Sequence, residues 1–212
     1  MTATPLRRLS VADEVAADLR RRILEGDLPP SSPLREIELA MTYVVSRHSA
    51  RAALRSLASE GLVQIERNRG ASVARLDPDG LQGLFELRTA LELEAAHLAL
   101  ERHDGRLPAD VHAEAKQLTR TCRRSRPSWR SVASAHAALH GALVDAANSP
   151  RIEAAYHALA TELQLYLVEL RPVWPLERMA RHHERLPAAI EREGPGALRR
   201  HLEAGARSVG GG

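Results

Sequence analysis

Two amphipathic stretches joined by a turn of only a few residues lie within residues 34–61, and they restrict the fold more than any other feature. The first carries apolar residues at the spacing of a short helix. The second follows Ser46, a residue type that caps helix N-termini, and is closed by Gly61. A short helix, a tight turn and a longer helix form a helix-turn-helix.

The segments on either side of this motif extend it. Residues 10–26 predict an N-capped amphipathic helix, because Ser10 precedes a run with apolar residues at helical spacing. The runs LVQIE and ASVARL predict two short strands, and RNRG between them provides a basic hairpin tip. A hairpin in this position is the wing of a winged helix. We therefore predict a winged helix-turn-helix DNA-binding domain in residues 1–76.

The charges of this region favour a polyanionic partner. Residues 1–75 hold 12 Arg/Lys and 9 Asp/Glu, whereas the remainder holds 18 of each. Arg47, Arg51 and Arg55 recur every four residues on the polar face of the second helix, which can enter a major groove. An exposed basic face without a ligand is the alternative for any single arginine. The side chains predicted to reach double-stranded DNA are Ser46, Arg47, His48, Arg51, Arg67 and Arg69.

The strings LREIELA, VSRHSARAAL and NRGASV resemble the winged-helix domain of GntR-type bacterial transcriptional regulators. The resemblance covers residues 10–76. It implies contacts with operator DNA from Arg35, Arg47, Arg51, Asn68, Arg69 and Gly70. One departure lies in the turn, where the family usually has glycine and this chain has Val44. Since a β-branched residue is costly at positive φ, either the turn differs here or strain is tolerated.

Residues 77–212 predict only helices. Asp77 and Pro78 are typical of a helix start, and later helix starts also carry a proline near the first turn. No segment beyond residue 76 alternates like a strand, and aromatic residues make up only 3% of the chain. We therefore predict a mostly α protein, in which five or six antiparallel helices pack around an Ala/Leu core in residues 77–212.

This part is similar to the ligand-binding domain of the fatty-acid-regulator-like, FCD-type branch of the same family. The similar segments are LFELRTALELEAAHLAL, HAALHGALVDAANSPRI and RHHERLPAAIEREGPGALRRHLE. The resemblance implies that residues 77–212 form an effector-binding and dimerisation domain, with a small carboxylic or sugar acid as effector. Arg88 is the candidate for binding the carboxylate of that effector.

His136 and His140 lie four residues apart, which places both on one face of a helix. The spacing alone leaves open a metal site, a catalytic centre or two ordinary histidines. Many members of the resembled branch hold a divalent metal through one Asp and three His. The resemblance places His140, His183 and His201 on the histidine ligands and His136 where Asp is common, with zinc, nickel or a similar ion as cofactor. His182 should face about 100° away from His183 and is the less favoured ligand.

These patterns predict a ligand-responsive transcriptional repressor that binds operator DNA as a homodimer. The alternative is a metal-dependent enzyme that uses the histidine cluster. The chain has no HExxH motif and no Ser/His/Asp order, so we predict no enzyme. A single cysteine, no long apolar run and no signal-like core in residues 1–10 predict a cytoplasmic protein without a membrane partner.

Overall fold

The computed structural model describes residues 10–67 and 69–209 of the 212-residue chain. The chain divides into two compact units, residues 1–75 and residues 76–212. Each is described by itself. Residues 1–9, which entered the signal-peptide prediction, and Asn68 lie outside the described residues.

The first unit begins with α1 (Val11–Glu25). Ser10 caps it as predicted, because its hydroxyl accepts from the Asp13 backbone N–H while the Asp13 carboxylate accepts from the Ser10 N–H at 2.9 Å. Gly26 ends the helix in the left-handed conformation, with φ of 80°. The helices α2 (Glu36–Thr42) and α3 (Arg47–Ser59) follow, and α1 packs against α3.

The wing is part of a three-stranded antiparallel sheet in the order β1-β3-β2. Its strands are β1 (Pro33–Leu34), β2 (Val63–Glu66) and β3 (Gly70–Val73). The predicted hairpin corresponds to β2 and β3. Leu34, predicted at the start of the short helix, instead pairs with Ala71, and its buried side chain joins the core. The predicted winged helix-turn-helix is confirmed, with one additional strand.

Val44 occupies the turn between α2 and α3 in the left-handed region, with φ of 53°. Its side chain is 90% exposed and buries almost no apolar surface. The turn therefore keeps a conformation that suits glycine, and the chain tolerates the strain of a β-branched residue there.

We expect Val44→Gly to stabilise the first unit. The left-handed conformation costs a non-glycine residue about 1–2 kcal/mol, and the extra entropy of unfolded glycine offsets about 0.5–1 kcal/mol of that gain. Hydrogen exchange of the α3 backbone amides should slow by about two- to fivefold. Val44→Ala, which keeps a Cβ at positive φ, is the control and should gain less. Faster exchange in Val44→Gly than in wild type would contradict the expectation.

In the part of the second unit that the structure describes, all regular secondary structure is helical, as predicted, and there are eight helices rather than five or six. They are α4 (Pro78–Arg102), α5 (Ala109–Cys122), α6 (Trp129–Asp145), α7 (Pro150–His157), α8 (Ala160–Leu170), α9 (Leu176–Glu184), α10 (Leu186–Glu193) and α11 (Pro195–Val209). Part of the difference lies around Pro187, which lacks a backbone N–H and occupies the first turn of α10, directly after α9 ends. The core is built mainly from Leu and Ala of these helices.

In residues 10–67 and 69–209, no helix combines the length and the apolar character that crossing a bilayer requires.

Candidate DNA-binding surface and histidine cluster

Five arginines line one concave surface of the first unit, about 730 Å³ in volume. Its basic lining residues are Arg35, Arg47, Arg51, Arg55 and Arg69. Three of them project from α3 because residues four apart share one helix face. Arg35 precedes α2, while Arg69 and the lining residue Gly70 belong to the wing. The fold thus brings the predicted contacts from three separate segments onto one surface.

Acidic residues that the sequence reasoning overlooked hold several of these arginines. Arg51 donates through Nε and Nη2 to the two carboxylate oxygens of Glu36, both at 2.8 Å. The hydrogen bond from Arg51 lowers the pKa of Glu36. Arg35 makes a single hydrogen bond, from Nη1 to one carboxylate oxygen of Glu38 at 2.8 Å. Exposed pairs of this kind stabilise a fold by less than about 1 kcal/mol, so a DNA phosphate could displace the carboxylates at little cost.

Three other predicted contacts, Ser46, His48 and Arg67, are not among the residues that line this concave surface. Ser46 acts as the N-cap of α3, and its Oγ accepts from the Ser49 backbone N–H at 3.0 Å. His48 and Arg67 are exposed, in the first turn of α3 and at the wing tip respectively. Asn68 is not among the described residues.

In the second unit, the four predicted histidine ligands lie together in the interior. His136 and His140 belong to the buried face of α6, alongside Leu139 and Leu143. His183 comes from α9 and His201 from α11, and all four side chains are buried. The ring centroids lie 4.6 Å apart for His136 and His140, 4.8 Å for His136 and His183, and 4.5 Å for His183 and His201.

A buried carboxylate fixes the orientation of His140. Glu92 accepts a hydrogen bond from Arg88 Nε at 2.6 Å and another from His140 Nδ1 at 2.7 Å. Burial by itself would raise the pKa of Glu92, but Arg88 and His140 lower it to about 2. An ionised carboxylate only accepts hydrogen bonds, so the proton of neutral His140 is on Nδ1. The Nε2 lone pair of His140 is therefore free, and this buried atom has no hydrogen-bond partner among the described residues.

His183 has the same tautomer for a different reason. Its Nδ1 donates to the Met179 backbone carbonyl at 2.7 Å, one turn earlier in α9. Its Nε2 is likewise buried without a hydrogen-bond partner in the described structure. Two neighbouring imidazoles thus present unprotonated nitrogens, the form in which histidine binds a metal.

Burial also keeps the cluster neutral. It lowers the pKa of His136, His183 and His201 well below the usual value, and nearby histidines add to the effect. Candidate ligand atoms of His136, His140 and His183 lie within 4.8 Å of one another. Neutral imidazoles at such separations are chemically suited to a first-row divalent ion.

His182 is a member of the cluster that the sequence reasoning set aside. Its ring stacks on that of His201, with centroids 4.3 Å apart and planes 23° apart. Helical spacing correctly separates His182 from His183 around α9, but α11 packs so that His201 contacts both rings. No sequence signal marks this contact, because it depends on how α11 packs against α9.

Arg88, the predicted effector ligand, is buried beside Glu92. It lines two small cavities of about 80 and 20 Å³, and His136 lines both as well. Asp145 and Glu184, the carboxylates nearest in sequence to His140 and His183, are exposed and contact other residues. Asp145 Oδ1 is 3.5 Å from His157 Nε2, and Glu184 accepts from Arg123 Nη2 at 3.3 Å.

Comparison with known proteins agrees with this two-part organisation. Residues 11–73 match the bacterial regulatory proteins of the gntR family, and residues 83–205 match the FCD domain. The chain is 29% identical over 194 residues to the "Probable D-xylose utilization operon transcriptional repressor" of Paenarthrobacter nicotinovorans, covering 92% of this chain and 84% of that protein. It is 37% identical over 87 residues to the gluconate operon transcriptional repressor of Bacillus licheniformis, covering 41% of this chain and 35% of that protein.

Solved structures share the fold. A GntR protein from Rhodococcus sp. RHA1 superposes with a TM-score of 0.70 at 23% identity, covering 94% of this chain and 97% of that one. E. coli McbR/YncC superposes with a TM-score of 0.65 at 20% identity, covering 95% and 98%. With both halves matched in order, the chain belongs to the GntR family of bacterial transcriptional regulators and carries an FCD domain after its winged helix.

Proposed function

We propose that this regulator is a cytoplasmic repressor that binds operator DNA as a homodimer and responds to a small organic or sugar acid. Residues 1–76 bind DNA, and residues 77–212 bind the effector and dimerise. The observation that carries the proposal is the concave surface on which five arginines of α3, the α2 start and the wing converge. One relative named above is called a probable D-xylose utilization operon repressor and the other a gluconate operon repressor, and these names support a repressor with a sugar-derived effector.

On DNA, α3 lies in the major groove. Arg47 and Arg51 are placed to donate paired hydrogen bonds to guanine or to hold phosphate, because both project from the exposed face near the start of the helix. The wing residues Arg67 and Arg69 follow the adjacent backbone or minor groove. A homodimer presents two such helices across a twofold axis, so the operator is a short palindrome.

The second unit holds a divalent metal in its histidine cluster. The free, buried Nε2 atoms of His140 and His183 support this, because a buried nitrogen without a partner is costly unless an ion or water satisfies it. His136 and His201 complete the predicted ligand set. A bound zinc, nickel or similar ion would supply a positive centre that anchors an anionic ligand. At position 136 the resembled pattern commonly has an Asp, whereas this chain has a neutral His. The site therefore carries one negative charge fewer, which favours anion binding further.

The effector lies beside this cluster, in the cavity of about 80 Å³ lined by Arg88 and His136. Gln164 and His157 also line it and offer further polar contacts. A larger groove of about 880 Å³ runs between α4 and α11, but it is open and mainly apolar, and its lining includes no member of the histidine cluster. The small enclosed volume beside Arg88 suits a small acid, with the guanidinium as partner for its carboxylate.

The test compares wild type with His183→Ala, which removes the histidine shared by the described metal-ligand groups. Duplex DNA selected by wild type from a random pool is the binding probe, and small organic and sugar acids are screened for a change in its affinity. We expect about one metal ion per wild-type chain by emission spectroscopy and an effector response of about 5- to 150-fold. His183→Ala should lose both and still bind the selected DNA.

The control is His97→Gln, which changes an exposed histidine of α4 outside the cluster. It should keep the metal, the response and DNA binding. Equal, near-zero metal in wild type and His183→Ala would remove the metal from the proposal. If the DNA affinity of His183→Ala still responds to the acid as in wild type, the proposed coupling between the histidine cluster and the effector is contradicted.

A further inference from the structure

The histidine cluster contains a second group of candidate ligands. His182, His183 and His201 each offer a nitrogen, and these three atoms lie within 4.8 Å of one another. This group shares His183 with the group of His136 and His140. His182 is absent from the ligand set implied by the family resemblance.

We propose that the metal has two alternative positions in the cluster and that His182 is a direct ligand at the second, together with His183 and His201. This inference rests on the metal-dependent function proposed above. It differs from the four-histidine site implied by the resemblance, since it divides those residues between two overlapping groups and adds a fifth histidine.

The environment of His182 supports a ligand role. Its Nδ1 is buried and has no hydrogen-bond partner among the described residues. A buried nitrogen in this state is destabilising unless an ion or water binds it. The lone pairs of an imidazole lie in the ring plane. Because the planes of His182 and His201 are only 23° apart, their nitrogens can point to a common side of the stack.

The two positions exclude each other. His183 Nδ1 carries a proton that it donates to the Met179 carbonyl, so only Nε2 can bind an ion. One lone pair binds one metal. A chain with both positions therefore takes up a single ion, and losing one position leaves the other available.

The positions also differ in their surroundings. The first includes His140, whose Nδ1–H is held by Glu92, and such a carboxylate partner makes the ligand nitrogen more basic. At the second position, His182 is half-buried, whereas the other four histidines are buried. The centroid of the His182 ring lies 5.4 Å from that of the Trp174 ring. We therefore expect the first position to bind the ion more tightly and the second to lie nearer solvent.

The experiment titrates the full-length apoprotein with zinc in a competition assay and records the visible spectrum of its cobalt(II) form. The variants are His136→Phe, His182→Phe and the double variant, since phenylalanine keeps a ring but removes the nitrogens. His182→Gln is tested in parallel, and thermal unfolding of each apoprotein by circular dichroism checks the fold. His97→Gln is the matched control outside the cluster.

We expect one zinc ion per wild-type chain, even in excess zinc. His136→Phe should still bind one ion, more weakly. Removing His182 from the wild-type protein should change the zinc affinity by less than about threefold. In the His136→Phe background, the same change should lower the zinc affinity at least tenfold and alter the cobalt(II) spectrum. If the two positions are alternatives, the effect of removing His182 must depend on whether His136 is present.

An effect of His182→Phe and His182→Gln below twofold in the His136→Phe background, with zinc still bound, overturns the second position and leaves the metal-dependent function intact. Two zinc ions per wild-type chain would overturn the mutual exclusion. No zinc uptake by wild type would instead overturn the metal part of the proposed function itself.

Discussion

The variant Arg47→Ala, Arg51→Ala is expected to bind operator DNA at least about 30-fold more weakly than wild type. Each arginine that donates two hydrogen bonds to a guanine contributes about 1–3 kcal/mol. Both side chains line the concave surface of the first unit and are exposed, so their removal should leave the fold intact. The measurement is fluorescence anisotropy on duplex DNA selected by wild type, at one fixed salt concentration because phosphate contacts make affinity salt-dependent.

A charge-matched control separates local contacts from the general attraction of a basic protein. Arg130→Ala, Arg151→Ala also removes two positive charges, but from exposed positions on α6 and α7. It should change the affinity by less than about threefold, because neither residue belongs to the proposed DNA-binding surface. Equal losses in the two double variants would contradict the assignment of α3 as the DNA-reading helix.

Glu92→Ala is expected to lower the free energy of unfolding of the second unit by about 3–5 kcal/mol, the usual cost of removing one partner of a buried ion pair. The variant leaves the buried guanidinium of Arg88 without its carboxylate and His140 without its Nδ1 acceptor. Urea unfolding followed by tryptophan fluorescence reports on this unit, because both tryptophans, Trp129 and Trp174, belong to it. Metal affinity should also fall, by about 10- to 100-fold.

The double variant Arg88→Met, Glu92→Leu distinguishes a charge effect from a packing effect. It removes both charges and keeps apolar volume, so it should be clearly more stable than Glu92→Ala. Its metal affinity should stay low, because His140 still lacks the carboxylate. If Glu92→Ala costs less than about 1 kcal/mol, the buried pair does not have the structural importance inferred from its geometry.

Much of the fold follows from local sequence signals. The caps at Ser10, Ser46 and Asp77 mark helix starts that the structure reproduces, since a side-chain oxygen satisfies otherwise unpaired backbone N–H groups wherever the chain lies. The strand at Leu34 was not predicted. A two-residue strand has no periodicity of its own and forms only because β3 supplies a partner.

The number of helices in the second unit was underestimated for a related reason. The segment around Pro187 contributes to this difference, since the structure has two helices there, α9 and α10, on either side of Arg185. A proline indicates that the hydrogen-bond ladder is interrupted. Whether the interruption is a kink or a break depends on the packing of the segments around it.

The site also has features that local spacing predicts and features that only the tertiary structure reveals. Helical spacing alone places Arg47 and Arg51 on one face of α3, and His136 and His140 on one face of α6. The pairing of Arg51 with Glu36 and of Arg88 with Glu92 required the structure, although the second pair is also four residues apart on one helix.

By itself, the sequence determined where helices begin, which faces they bury and which family the chain resembles, because these depend on short-range spacing and residue type. Only the tertiary structure decided that Val44 keeps the left-handed turn, that Glu92 sets the tautomer of His140, and that His182 meets His201. Each of these outcomes depends on the conformation of a turn or on how helices pack. Residues far apart in the sequence carry no local signal of such contacts.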